Sequence, residues 1–193
     1  MPLILEGIVT TLNDDDTVNI SPMGPEVDAQ LETLVLKPYQ TSTTYRNLKR
    51  NGQGVFHVTD DVELLAQAAV GTPAPLPPMR PAEAVEGRIL TGSCRWYAFR
   101  VGSLDDRQER TRIACNVIDR GTLREFFGFN RGKHAVVEAA VLATRVDFLP
   151  AAEILAEFDD LRVLVDKTGG PTELRAFEFL SRIVRERTAR AAR

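Results

Sequence analysis

A run of hydroxyl side chains followed by an arginine is the part of this sequence whose residue types best fit a binding site. Residues 41–44 read TSTT, and Arg46 follows two positions later, where a predicted strand gives way to a predicted helix. Hydroxyl groups, backbone N–H groups at a helix start and the helix dipole all attract an anion. The segment therefore predicts a phosphate-binding corner, and a polar loop that only caps the helix is the alternative.

Polar residues elsewhere in this region favour the interpretation as a binding site. Lys37 and Arg46 supply cations, Asn47 supplies a neutral donor, and residues 19–22 (NISP) supply small polar groups on a neighbouring predicted strand. A flavin requires such a mixture, because charge and hydroxyls hold its phosphate while backbone N–H and C=O groups line the edge of its ring. The corner and residues 19–22 together are the candidate site.

The remaining residue types that could do chemistry have simpler structural explanations. His57 and His134 lack the carboxylate or cysteine neighbours that a metal site requires, so structural histidines and no metal are expected. Cys94 and Cys115 are too far apart for a C-x-x-C motif and are expected to face the core from strands. The serines have no nucleophile-elbow context, so no catalytic residue is assigned.

Strands dominate the first two thirds of the chain and must position the candidate site. Two β-branched stretches around an acidic turn at residues 13–16 predict an opening hairpin, whose second strand ends at Pro22 and Gly24. The absence of strand–helix alternation and of a G-x-G-x-x-G motif argues against a dinucleotide-binding fold. The predicted strands cover residues 4–12, 17–20, 31–37, 55–58, 88–101 and 110–118, and short helices cover 44–51 and 62–69.

A proline-rich stretch separates the second short helix from the two longest predicted strands. Residues 71–81 contain prolines at 73, 75, 77, 78 and 81, which remove backbone donors and favour extended backbone. The stretch predicts a long connection across the surface or over a site, without regular structure. A disordered linker between two domains is the alternative, because loops of this length are commonly functional or flexible.

The last third of the chain changes to a helical pattern. Helices are predicted over residues 133–146, from Pro150 and from Pro171, because proline suits the first turn of a helix. The last of them is amphipathic, which indicates packing on a partner surface. The expected organisation is a β-domain at residues 1–122 and a helical region at 123–193, packed on the β-domain or on a dimer partner.

Length and charge limit the classes of protein that this chain can represent. Its 193 residues can bury a sizeable core, and a content of 44% hydrophobic and 26% charged residues is typical of globular proteins. A formal net charge of −3 argues against nucleic acid as a partner. The start of the chain lacks a signal-peptide pattern and no apolar window is long enough to span a membrane, so a cytoplasmic protein without a membrane partner is expected.

Two short motifs resemble a known family. Residues 43–48 (TTYRNL) followed by Gly52 are similar to the T-x-R-N-I-x-x-x-G segment of flavin-reductase-like proteins with the FMN-binding split β-barrel. Residues 19–24 (NISPMG) are similar to that family's N-x-A/S-P-x-S/G stretch. The pattern is closest to a little-characterised archaeal and bacterial branch, in which the barrel is followed by helices. The resemblance therefore implies a β-rich α+β fold, a split barrel with an α-helical C-terminal region.

The resemblance also implies a homodimer that binds FMN at the subunit interface. The residues so implicated are Thr41, Thr43, Thr44, Arg46 and Asn47 for the phosphate, and Asn19, Ser21, Pro22 and Met23 beside the ring. Asn130 and Arg131 follow an apolar run at residues 126–129, which could line a flavin or substrate pocket or form a hinge between a loop and a helix. His57 departs from the family's usual asparagine, and residues 71–81 have no counterpart in the reductases.

FMN binding is the function that these observations favour, with flavin-dependent redox chemistry as its extension. In that chemistry the flavin accepts hydride and passes electrons onward, while the protein holds and tunes it. A non-enzymatic flavin carrier or an interaction protein that has kept the barrel is one alternative. An enzyme that uses the same corner for another phosphate-bearing ligand, such as a nucleotide or a pterin, is the other. The choice between NADH and NADPH and the electron acceptor stay open.

Overall fold

The computed structural model describes residues 3–191, which pack into two compact units. The first unit contains the residues up to 59 together with residues 75–126, and the second contains residues 60–74 together with those from 127 onward. Strands dominate the first unit and helices dominate the second, so the expected β-rich α+β class is confirmed. The domain boundary predicted after residue 122 stays a prediction.

The first unit is built on a curled antiparallel sheet. Its described elements are β1 (Leu3–Ile4), β2 (Gly7–Leu12), β3 (Val18–Met23), β4 (Glu26–Val27), β5 (Thr33–Leu36), α1 (Thr43–Asn51), β6 (Gln53–Val58), β7 (Met79–Pro81), β8 (Arg88–Leu90), β9 (Arg95–Asp105) and β10 (Arg112–Thr122). Eight strands pair in the order β1-β4-β5-β10-β9-β6-β2-β3, and β7 pairs separately with β8. The sheet therefore has β1 and β3 as its two edges.

Strand β2 is buried along its whole length. Successive side chains point to opposite faces of a strand, and here Thr11 contacts Asn47 of α1 while Thr10 contacts the backbone of Arg88 in β8. Both faces are thus covered, although two of the buried residues are polar. Each threonine hydroxyl must therefore find a hydrogen-bond partner inside the protein.

The longest strands, β9 and β10, carry the curvature of the sheet. Their register shifts between Ala114 and Cys115 and again between Val117 and Asp119. Such bulges bend a strand and increase its twist. The curled sheet and α1 enclose an apolar core whose fully buried members include Val9, Leu34, Leu36, Leu48, Phe56, Phe99 and Ile113.

The single strand predicted over residues 88–101 is wrong, because a turn interrupts it. Strand β8 ends at Leu90, and β9 begins at Arg95 and continues to Asp105. The Ser93 hydroxyl and the Ser93 N–H both donate to the Leu90 carbonyl, at 2.7 and 3.2 Å, which closes the turn. Cys94 is therefore buried in a turn rather than in a strand, whereas Cys115 is buried in β10 as expected.

Two strands include prolines at positions where the sequence predicted no strand. The second strand was expected to end at Pro22, yet β3 continues through it to Met23. Because β3 is an edge strand, proline's missing N–H need not break a ladder hydrogen bond there. The proline-rich stretch was expected to lack regular structure, but its last three residues form β7, with Met79 opposite Leu90 of β8. Residues 73–78 lie outside helices and strands, as predicted.

Four helices form the described part of the second unit: α2 (Val62–Val70), α3 (Arg131–Ala143), α4 (Ala151–Thr168) and α5 (Pro171–Ala191). The predicted start of α5 at Pro171 is confirmed, and Gly169 and Gly170 separate it from α4. Among the described residues, no helix is long and apolar enough to cross a membrane.

A partly buried ion pair ties the starts of two of these helices together. Lys133 of α3 lies 2.8 Å from the Glu173 carboxylate of α5, and its Nζ also donates to the Asp60 carbonyl at 2.9 Å. Glu173 accepts the Gly170 N–H at 2.8 Å as well, so its carboxylate caps the first turn of α5. The apolar core of this unit includes Val136, Ala139, Ile154, Phe158, Phe177, Leu180 and Val184.

His57 is a structural histidine, as its sequence context predicted. The ring is fully buried in β6, and its Nε2 accepts the Leu90 N–H at 3.1 Å. Nδ1 therefore carries the proton and donates to the Ile8 carbonyl at 3.2 Å. Desolvation of the ring lowers the pKa of His57 to about 4, because a charged imidazolium has no anion to pair with among these contacts.

The buried histidine makes stability depend on pH. Its folded-state pKa of about 4 lies below the ordinary value of 6.5, so the unfolded chain binds the proton more tightly. The free energy of unfolding should therefore be largest above pH 6.5 and fall by about 3 kcal/mol between pH 7 and pH 4. Urea denaturation at a series of pH values measures this change.

The other histidine provides the control. His134 is exposed on α3, so His134→Gln should keep the wild-type pH dependence. His57→Asn should flatten it, because the titrating group is gone. A wild-type stability that stays constant between pH 7 and pH 4.5 would contradict the account of His57.

Candidate functional site

Helix α1 begins at the predicted corner with Ser42 as its N-cap residue. The Ser42 hydroxyl accepts the Tyr45 N–H at 3.2 Å, and the Ser42 carbonyl accepts the Arg46 N–H at 3.2 Å. The N–H groups of Thr43 and Thr44 have no acceptor among the described residues, and the first turn contains no acidic side chain. The start of α1 thus presents two backbone donors and the positive end of the helix dipole.

Arg46 supplies the cation at this corner. Its guanidinium donates to the Thr43 hydroxyl at 3.0 Å and has no carboxylate partner among the described residues. The other two cations of α1 are paired, Lys49 with Asp106 and Arg50 with Asp14. Arg46 is exposed, so its remaining N–H donors face solvent. A phosphate group is the kind of anion that such donors bind.

A partly buried polar cluster joins the two predicted parts of the site. The Thr11 hydroxyl accepts hydrogen bonds from Asn47 Nδ2 at 3.0 Å and from Asn19 Nδ2 at 3.2 Å. Asn19 Nδ2 also donates to the Thr44 hydroxyl at 3.1 Å, and Asn47 Nδ2 donates to Asn13 Oδ1 at 2.9 Å. The structure therefore brings Asn19 together with Thr44 and Asn47. It does so through two residues that the sequence did not single out, Thr11 and Asn13.

The other residues predicted beside the ring lie along β3. The Ser21 hydroxyl donates to the Pro22 carbonyl at 3.4 Å, and the Met23 side chain packs against the core of the first unit. Among the described strands, β3 pairs only with β2, so no strand there pairs with the backbone groups on its outer side. Thr41 is exposed just before the helix cap. Cofactor contacts by these four residues stay a prediction.

Asn130 and Arg131 belong to the second unit, where Asn130 has a clear structural role. Its Oδ1 accepts the Lys133 N–H at 3.0 Å, which caps α3, and its Nδ2 donates to the Thr168 carbonyl at 2.9 Å. Arg131 is exposed, and the aromatic rings of Phe127 and Phe129 are 73% and 93% exposed. The contacts of Asn130 agree with the alternative of a packed junction between a loop and a helix. Cofactor binding by Asn130 and Arg131 stays a prediction.

Asp106, in the turn after β9, makes a second set of polar contacts with α1 through Tyr45 and Lys49. The Tyr45 hydroxyl donates to Asp106 Oδ2 at 2.7 Å, and Lys49 Nζ lies 2.8 Å from the same oxygen. The hydrogen bond and charge of Lys49, with the Tyr45 hydroxyl, hold the pKa of Asp106 below its usual value. Asp106 reciprocally raises the pKa of Lys49. Asp106 stays ionised at neutral pH, and Lys49 is not available to a ligand without breaking this pair.

The remaining groups that could do chemistry are the potential metal ligands and the cysteine thiols. Within residues 3–191, no group of three or more His, Cys, Asp and Glu side chains is placed to hold a metal ion. Burial raises the pKa of Cys115 to about 12, so its thiol stays protonated and unreactive at neutral pH.

Solved structures with this architecture define its class. An FMN-bound protein from Methanosarcina mazei matches with a TM-score of 0.83 and 21% identity, over 95% of this chain and 96% of that one. The styrene monooxygenase flavin reductase from Pseudomonas putida S12 matches with a TM-score of 0.52 and 14% identity, over 62% and 79%. A flavoredoxin from Methanosarcina acetivorans gives 0.52 and 12%, over 62% and 68%. The fold is the split barrel of flavin-reductase-like proteins followed by a helical region, as the motifs implied.

Two family models cover most of the sequence. The N-terminal domain of a protein of unknown function, DUF447, matches residues 5–124, and the second DUF447 model matches residues 130–182. This chain therefore belongs to the DUF447 family. The Methanosarcina mazei protein is described as a member of the same family. The expected similarity to a branch with a barrel followed by helices is thereby confirmed.

The stability of the protein should depend on the Thr11 hydroxyl, which accepts hydrogen bonds from Asn19 and Asn47. Thr11→Val keeps the shape of the side chain but leaves two amide N–H donors, from Asn19 and Asn47, without an acceptor. Each lost partner inside the protein costs about 1–3 kcal/mol, so the free energy of unfolding should fall by about 2–6 kcal/mol. Chemical denaturation measures this difference.

Thr11→Ser is the matched control, because it keeps the accepting oxygen and removes only a methyl group. Its loss of stability should be clearly smaller than that of Thr11→Val. Equal losses for the two variants would show that packing by the methyl group, rather than the shared hydroxyl, maintains this part of the fold.

Proposed function

We propose that this protein binds FMN, with the phosphate at the start of α1 and the ring along β3. The observation that carries the proposal concerns the start of α1. Among the described residues, the N–H groups of Thr43 and Thr44 have no acceptor, and Arg46 beside them has no carboxylate partner. The match over nearly the whole chain to an FMN-bound protein supports the choice of ligand. FMN carries one phosphate group, which fits a single anion corner.

The donor set fits the charge of the ligand. A phosphate with charge near −2 accepts hydrogen bonds from backbone N–H groups, threonine hydroxyls and a guanidinium, and all three kinds of donor occur at residues 43–46. No acidic side chain lies in the first turn of α1 to repel it. Asn19 connects this corner to β3 through the Thr44 hydroxyl, so the two halves of the ligand would contact one connected framework.

The outer side of β3 fits the other half of the ligand. A flavin ring presents alternating hydrogen-bond donors and acceptors along its pyrimidine edge, and an unpaired strand edge offers the complementary backbone groups. When bound, FMN supplies the capacity to accept hydride and release electrons. The side chains of this protein would bind and orient the cofactor, with no side chain assigned as an acid or a nucleophile.

Flavin-dependent oxidoreductase activity and a homodimer with FMN at the subunit interface complete the proposal. The fold shared with a flavin reductase and a flavoredoxin supports the redox role. A non-enzymatic flavin carrier is the second candidate, because the site described here explains binding without a group for substrate chemistry. Light scattering of the purified protein measures the oligomeric state, for which a dimer is expected.

Spectroscopy of the purified protein tests the proposal. Yellow protein with the absorbance bands of oxidised flavin, or apoprotein that takes up added FMN and quenches its fluorescence, is the expected result. Anaerobic bleaching of the bound flavin by NADH or NADPH then separates an oxidoreductase from a carrier. Colourless protein that fails to bind added FMN would refute the proposed function.

Arg46 and Arg50 offer a comparison within one helix. Arg46→Gln should weaken FMN binding about tenfold, because it removes the cation that has no carboxylate partner. Arg50→Gln should leave the affinity within about twofold, because Arg50 already pairs with Asp14 near the other end of α1. Fluorescence titration of both variants measures the difference, and equal effects would place the phosphate elsewhere.

The threonine hydroxyls at the helix start should also contribute. Replacing Thr43 and Thr44 together by alanine should weaken FMN binding at least about tenfold, equivalent to roughly 1.4 kcal/mol or more. Replacing both by serine keeps the hydroxyls and should restore most of the affinity. Unchanged affinity in the double alanine variant would mean that the phosphate does not bind at this corner.

A further inference from the structure

The segment that leads into the phosphate corner has little regular structure of its own. Strand β5 ends at Leu36 and α1 begins at Thr43, so residues 37–42 form a short connection. The turn between β9 and β10, at residues 106–111, hydrogen-bonds to this connection. This turn lies more than sixty residues away in the sequence, as the 61-residue separation of Tyr45 and Asp106 shows.

Hydrogen bonds join the turn to the connection along much of its length. Gln40 donates its backbone N–H to the Glu109 carbonyl at 2.9 Å and its side-chain Nε2 to the Gln108 carbonyl at 2.9 Å. The Pro38 carbonyl accepts both the N–H and the hydroxyl of Thr111, at 3.0 and 2.8 Å. Because a backbone carbonyl accepts each of these hydrogen bonds, the turn fixes the path of the chain before the corner.

Asp106 is the residue that reaches both sides of the corner. Its backbone carbonyl accepts Gln40 Nε2 at 2.7 Å, just before residues 41–44. Its side-chain Oδ2 accepts the hydroxyl of Tyr45 at 2.7 Å and Nζ of Lys49 at 2.8 Å, just after them. The Tyr45 ring is buried in the core of the first unit, so this contact is anchored to a fixed side chain.

We propose that Asp106 is a positioning residue for the phosphate corner, which it holds from both sides without touching the ligand. The inference rests on the proposed FMN site. Backbone donors that are already aligned bind an anion more tightly, because no ordering cost is incurred on binding. Lys49 neutralises the Asp106 carboxylate, so holding the corner adds no net negative charge beside it.

The comparison of FMN with riboflavin separates positioning from general stability. The two flavins share the ring and differ by the phosphate, so a misplaced corner affects only FMN. Asp106→Ala should weaken FMN binding about fivefold to twentyfold and leave riboflavin binding within about twofold. Tyr45→Phe, which keeps the buried ring, should shift the ratio of the two affinities in the same direction by a smaller factor.

Two further variants complete the experiment. Asp105→Ala is the matched control, because the Asp105 side chain pairs with Arg107 two residues later and, among the described residues, makes no contact with the corner. It should leave both affinities unchanged. Asp106→Asn keeps an oxygen that accepts the Tyr45 hydroxyl and should restore part of the FMN affinity.

The outcomes distinguish this inference from the proposed function. Equal losses of FMN and riboflavin affinity in Asp106→Ala and Tyr45→Phe, or unchanged FMN affinity in both, would overturn the positioning role. Wild-type protein that binds neither flavin would refute the proposed function itself. Melting temperatures identify a poorly folded Asp106→Ala, in which case the affinity ratio in Tyr45→Phe decides alone.

Discussion

The hydroxyl of Thr11, shared between two asparagine amides, is the contact on which the candidate site depends. It joins β2 to β3 through Asn19 and to α1 through Asn47. Strand β2 is buried on both faces, so a polar side chain there is tolerated only when its hydrogen bonds are made inside the protein. Together with the packing of Tyr45 and Leu48 in the core, this contact positions α1 against the sheet, and with it the direction in which the helix dipole points.

Among the described residues, one of the three basic side chains of α1 has no carboxylate partner. Two of its three basic side chains are paired with carboxylates at residues 14 and 106, and the remaining one lies at the start of the helix beside two backbone N–H groups. Paired charges contribute little field at a distance, whereas an unpaired guanidinium next to a helix start attracts an anion. Ion pairs therefore anchor the last turn of α1, whereas, among the described residues, the cation and the backbone N–H groups of its first turn are not used in such pairs.

Features that depend on neighbours in sequence were predictable. The cap before α1 and the proline that begins α5 are local signals, and each lies where the sequence placed it. The family motifs supplied the barrel and the helical region. The turn at Ser93 was missed, because the pattern of residues 88–101 is compatible with one strand and only the contacts of Ser93 show the break.

Local sequence patterns could not predict the polar partners of the site. Thr11 and Asn47 are 36 residues apart, and Asp106 and Tyr45 are 61 apart. A threonine in a β-branched run and an aspartate in a polar turn have ordinary local roles, so neither attracts attention before the chain is folded. The antiparallel pairing of β2 with β3 and the packing of α1 place Thr11 beside the corner, and the turn between β9 and β10 places Asp106 there.

A crystal structure of the protein grown with FMN tests the central claim most directly. The account predicts the phosphate within hydrogen-bonding distance of the N–H groups of Thr43 and Thr44 and of the Arg46 guanidinium, with the ring edge along β3. A phosphate bound away from the start of α1 would contradict it.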